Sequence, residues 1–150
     1  MHLREFMKVA LGTGAVFAAA PELLRAMNAP VKMTVYKSPS CGCCTDWVTY
    51  MKGQGFTVEV KDLNDLTDVK RSMGVPAKLE SCHTALVGPY VIEGHVPADL
   101  VKKILAQQPK IIGLAVPGMP VDAPGMGNGK TPYDVISWDK SGKTAVFAKR

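Results

Sequence analysis

Residues 33–60 read MTVYKSPSCGCCTDWVTYMKGQGFTVEV, and the change of period inside this stretch decides the fold. Residues 33–36 are a short β-prone run. Lys37-Ser38-Pro39-Ser40 interrupts it and predicts a polar turn, with Ser40 as the N-cap of a helix. From Cys44 onward the apolar side chains Trp47, Val48 and Met51 recur at spacings of three and four, the period of a helix. Gly53 and Gly55 stop that helix. Phe56, Val58 and Val60 then alternate with Thr57 and Glu59, the period of a half-buried strand. Strand, helix, strand in that order is a crossover, which makes the two strands parallel and the connection right-handed.

Downstream, residues 63–73 predict a second, weaker helix that ends at Gly74-Val75-Pro76. Residues 84–87 and 90–92 read as two short strands joined across Gly88-Pro89. Pro97 opens a third helix, with Leu100, Val101, Ile104 and Leu105 on one face and Lys102 and Lys103 outside. The expected fold is therefore α/β, with a thioredoxin-like β-α-β-α-β-β-α core and a Cys-rich turn where the first strand meets the first helix. Residues 116–129 read VPGMPVDAPGMGNG, half of them Pro or Gly, and predict a C-terminal Pro/Gly/Met loop. Residues 135–138 and 144–147 flank Asp139-Lys140-Ser141-Gly142 and predict a closing β-hairpin.

A chain of 150 residues with 47% apolar and 21% charged side chains supports one packed domain and excludes global disorder. The net charge of +5 is spread along the chain without a basic run, so it carries no nucleic-acid footprint. No apolar stretch reaches the ~18 residues of a spanning helix. Residues 1–29 differ from the rest. Arg4 and Lys8 precede the apolar run 9–20, which leaves through Ala18-Ala19-Ala20. These are the parts of a signal peptide, or of an N-terminal anchor where cleavage fails. Pro21 and Pro30 follow the candidate exits and leave the cleavage point open. The expected division is an export segment at 1–29 and one packed domain at 30–150, whose cysteines export would place in an oxidising compartment.

Cys41-Gly42-Cys43-Cys44 holds a C-x-x-C, a C-x-C and a vicinal pair. At the start of a helix, Cys41 and Cys44 lie one turn apart on one face, and Cys43 points about 100° away from Cys44. First-turn N–H groups and the helix dipole stabilise thiolate there. Thiolate serves both redox exchange and metal binding, so this alone does not choose between them. Stoichiometry favours metal. A dithiol oxidoreductase needs two thiols and a third competes with them, whereas a soft ion gains from each added sulfur. Such crowding suits sulfurs bridging Cu(I) better than a mononuclear tetrahedral zinc site. Redox exchange through Cys41 and Cys44, and inert disulfides, stay open.

Ser81-Cys82-His83 precedes the third strand and, in this topology, approaches the Cys turn. Cys82 completes a set of four sulfurs, while His83 either binds metal or caps the strand. His95 sits in a turn before the third helix, as a ligand, a support for one, a solvated loop residue or a satisfied hydrogen-bond donor. Pro117-Gly118-Met119 is echoed by Pro124-Gly125-Met126. Met in such a loop has no helix face to bury itself on, and thioethers suit Cu(I); packing onto the core is the plainer alternative. No P-loop or dinucleotide fingerprint is present, and no acidic pair stands out as a catalytic dyad.

The strings YKSPSCGCCTDWVTYMKGQGF, ESCHTALVGPYVIEGHVPADLVKKIL and GLAVPGMPVDAPGM together resemble the small exported bacterial proteins of the CopG copper-resistance type, a family also described as a domain of unknown function. The match spans roughly residues 33–148. The resemblance implies a thioredoxin-like fold, a periplasmic role in copper handling and thiolate-bound Cu(I). It marks Cys41, Cys43, Cys44 and Cys82 as the sulfur set, with His95, Met119 and Met126 as supporting metal positions. It also keeps a copper oxidoreductase in view. The expected protein is a monomer that sequesters Cu(I) or passes it to other periplasmic copper-handling proteins. Zinc is the less favoured ion, and no nucleic-acid partner or catalytic residue is expected.

Overall fold

The alternation at the head of the domain becomes strand β1, Val31–Lys37, in a computed structural model that describes residues 29–127 and 130–150. The export segment expected at 1–29 lies, apart from Ala29, outside the described residues. Helix α1 is Gly42–Gly53, β2 is Phe56–Asp62 and α2 is Thr67–Ser72. A single 3-10 turn at Ala77–Leu79 leads to β3, His83–Val87, and β4, Tyr90–Glu93. Helix α3 is Ala98–Gln107, and β5 (Gly113–Ala115), β6 (Asp134–Trp138) and β7 (Thr144–Lys149) follow.

The described residues form one mixed sheet in the order β2-β1-β3-β4-β5-β6-β7. β1 and β2 are parallel, as the crossover through α1 requires. β3 runs antiparallel to β1 with Lys37 opposite His83, so Cys82 and His83 arrive where β1 hands over to the Cys turn. That register is what positions the site.

Three expectations change. The N-cap of α1 is Cys41, not Ser40: its Sγ lies 3.3 Å from the Cys44 N–H, while the Ser40 N–H turns back to Ser38 Oγ. α2 is shorter than 63–73. The Leu63 N–H still bonds to the Lys37 carbonyl, and Asp65 Oδ1 takes the Thr67 N–H at 2.8 Å to start the helix late. β5 had no periodic signal, being three residues long. It lies parallel to β4 and antiparallel to β6, and so joins the closing hairpin to the main sheet. Only glycine fits its first position: a Cβ on Gly113 would sit 1.9 Å from the Val91 carbonyl oxygen and 2.7 Å from the Trp138 ring.

Successive strand residues face opposite sides, so the sheet carries an apolar layer on each face. Met33, Val35, Ile92 and Leu114 pack with Trp47, Val48 and Met51 of α1 and Val101 and Ile104 of α3. Val91, Ala115 and Trp138 pack with Val75 and Leu79 on the other face. No helix among the described residues is long and apolar enough to cross a membrane.

Candidate metal centre

The site is built where α1 begins, against the first residues of β3. Cys41 caps the helix, Gly42 is its first residue, and Cys43 and Cys44 continue its first turn. Cys41 and Cys44 are one turn apart with Cα atoms 5.3 Å from each other, and they form a disulfide. Cys43 and Cys82 are free thiols. Cys43 Sγ lies 3.5 Å from Cys41 Sγ, and Cys44 Sγ lies 3.8 Å from the Cys82 carbonyl oxygen. All four sulfurs fall within 4.8 Å of one another. The sulfur set expected from the sequence is thus brought together from segments about forty residues apart.

Cys82 is also the shared corner of a second group. Its Sγ lies 3.3 Å from His83 Nδ1 and 3.1 Å from His95 Nε2, and the three side chains offer ligand atoms within 4.8 Å of one another. Burial, and next the nearby Cys43, push the Cys82 thiol up to about 11. His83 is held well below the usual imidazole range, first by burial and then by His95 and Lys70. Burial also lowers His95, opposed by the Pro124 carbonyl and by Asp46. Both rings are therefore neutral at neutral pH, the form that ligates metals. His83 Nε2 is buried and has no hydrogen-bond partner among the described residues.

Trp47 closes the apolar side. Its ring centroid is 4.5 Å from that of His83, and its Nε1–H donates to the Val96 carbonyl at 3.1 Å. Its place in the helical period puts it in the core, and it is also the wall of the site.

Behind His83 lies a buried polar network without an obvious sequence signal. Lys70 pairs with Glu93 and donates to Thr84 Oγ1 at 3.0 Å. The Thr84 hydroxyl donates to Glu93 Oε2 at 2.6 Å, and the Ser81 N–H to Glu93 Oε1 at 2.7 Å. Burial raises the Glu93 carboxyl, and the Lys70 ammonium opposes that rise. One carboxylate therefore grips Ser81 and Thr84, the residues on either side of Cys82-His83.

The Pro/Gly/Met loop crosses the site and is tied down at both ends. Ser81 Oγ donates to the Gly118 carbonyl at 2.5 Å, and His95 Nδ1 lies 2.7 Å from the Pro124 carbonyl oxygen. Ala123 between them is fully buried. The two methionines part company here. Met126 is half-buried against the main core, which is the plainer alternative for it, whereas Met119 is 53% exposed.

Chemically, the arrangement offers up to four soft sulfurs and two neutral imidazoles in one partly enclosed place. With the Cys41–Cys44 bond intact, two thiols and two imidazoles remain as donors; two electrons and two protons restore the other two thiols. Soft sulfur donors with imidazole support fit copper well.

A family described as a protein of unknown function, DUF411, matches residues 79–126, the stretch that contains Cys82, His83, His95, Met119 and Met126. No curated protein matches the chain. Two solved structures named copper resistance protein copG, forms 1 and 2, are similar to it. Each is 38% identical, with a TM-score of 0.76, over 81% of this chain and 98% of theirs.

Proposed function

Because the chain belongs to the CopG-type family of copper resistance proteins, we propose that it binds copper as Cu(I) through Cys41, Cys43, Cys44 and Cys82, and sequesters or transfers it. The observation that carries this reading is the convergence of four sulfurs within 4.8 Å. A fold alone would need no such crowding. His95 completes the donor set from the side of Cys82, and His83, with its unpartnered Nε2, is a further candidate. At least one of Met119 and Met126 is a supporting thioether donor in this proposal, and Met119 is the one not packed against the core.

The core is thioredoxin-like in this reading, supported by the strand order β2-β1-β3-β4 and the cysteine turn between β1 and α1. The protein works as a monomeric domain spanning 30–150 in the periplasm and exchanges copper with other copper-handling proteins there. The basic residues Arg4 and Lys8 ahead of the apolar run 9–20 support export.

The disulfide favours one second reading, a copper or thiol–disulfide oxidoreductase using Cys41 and Cys44. The balance for copper is two Cu(II) ions reduced to Cu(I) as one dithiol becomes a disulfide and releases two protons. Cys43→Ser separates the two readings, because it leaves that dithiol intact. Under copper storage or transfer, the reduced variant binds fewer Cu(I) ions or loses them about tenfold or more faster to a chelator. Unchanged copper stoichiometry and retention, together with full disulfide-reductase activity on insulin, would overturn storage in favour of the oxidoreductase.

A further inference from the structure

The loop's repeated Pro-Gly step has a structural use beyond placing thioethers. Residues 123–126 form a tight turn closed by the Met126 N–H on the Ala123 carbonyl at 2.9 Å, with Pro124 second and Gly125 third. Gly125 has φ +85°, the value that the third position of a type II turn demands. Such a turn points its central carbonyl outward, and here that carbonyl belongs to Pro124. It lies 2.7 Å from His95 Nδ1. A carbonyl oxygen can only accept, so Nδ1 carries the proton. A neutral imidazole has a single N–H, which leaves Nε2 as a bare lone pair 3.1 Å from Cys82 Sγ.

We infer that the Pro124-Gly125 turn is a positioning element for His95, fixing its Nδ1–H tautomer so that Nε2 is the atom presented to metal beside Cys82. This inference rests on the copper-binding reading for its purpose but not for its geometry. Without the carbonyl, the ring is free to take the Nε2–H form, which turns an N–H toward the sulfurs and blocks ligation. Backbone carbonyls play this orienting role for metal-bound histidines generally. Gly125 is required twice over. Its positive φ disfavours a side chain, and a Cβ there would lie 2.7 Å from the Trp47 nitrogen and 2.9 Å from its Cα. Any larger residue must push the 124–125 peptide away from Trp47, and with it the carbonyl from His95.

The test uses the full chain, reduced, metal-free and labelled with nitrogen-15, at neutral pH. Long-range proton–nitrogen correlation reads the His95 ring, assigned by its loss in His95→Gln. The expected pattern is a protonated Nδ1 and a bare Nε2; a protonated Nε2 overturns the inference without any loop variant. Gly125→Ala, its fold checked by the amide map, should show a mixture of tautomers and hold Cu(I) about 10–100-fold more weakly against a chelator. Gly142→Ala, in the distant hairpin turn and also at positive φ, should leave both unchanged. A folded Gly125→Ala with wild-type tautomer and wild-type affinity also overturns it. A wild-type chain with the expected tautomer that retains no copper overturns the copper reading instead.

Discussion

Two neutral imidazoles buried side by side make the metal-free protein sensitive to acid. The His83 and His95 ring centroids are 5.0 Å apart, and burial is the first cause holding both below the usual range. In the unfolded chain each takes up its proton near the ordinary value of about 6.5. Their contribution to stability is therefore complete above that value and is lost as pH falls toward the folded-state values, at up to ~1.4 kcal/mol per pH unit for each ring. The urea midpoint of metal-free protein should fall steeply between pH 7 and pH 5, and His83→Gln should flatten the slope. A midpoint independent of pH over that range would contradict the burial of neutral rings. Residues at this scale were unevenly legible in sequence. The cysteines announce themselves by spacing, because four sulfurs in one small domain have few ordinary uses. A histidine does not: His83 reads as ligand or as strand cap until its place behind Trp47 is known.

At the scale of elements, α2 and β4 are locked by a buried ion pair. Removing one partner of such a pair strands the other charge in the apolar interior, whereas replacing both is mild. Lys70→Met should cost about 3–5 kcal/mol in urea unfolding, and adding Glu93→Gln should recover much of it, since the amide oxygen can still accept from Ser81. A Lys70→Met variant within ~1 kcal/mol of wild type would show that the pair does not hold these elements. Sequence patterning missed this lock because it depends on a contact 23 residues apart, and the apolar run around Val91 and Ile92 gives no warning that Glu93 turns inward. It missed β5 for a related reason. Three residues cannot display a period, and Gly113 is there for a close approach to Val91. Helices α1 and α3 were legible because their apolar positions repeat often enough to fix both type and face, and the closing hairpin because Asp139-Lys140-Ser141-Gly142 marks its turn.

Across the whole molecule, the sheet order does the assembling. β3 lies beside β1, so Cys82 meets the turn that carries Cys41, Cys43 and Cys44, and the chain then returns through the Pro/Gly loop to cover His95. The convergence of the sulfurs could be foreseen once the β-α-β-α-β-β-α order was recognised, because that order puts the start of β3 at the Cys turn. The covering loop could not, since its docking depends on single backbone carbonyls and on space for Gly125, neither of which leaves a periodic trace. The copper K-edge X-ray absorption spectrum of reduced protein loaded with Cu(I) tests the central claim most directly. It should show a Cu(I) edge and a coordination shell dominated by sulfur with an imidazole contribution; a shell of nitrogen and oxygen alone would contradict a copper centre built on these cysteines.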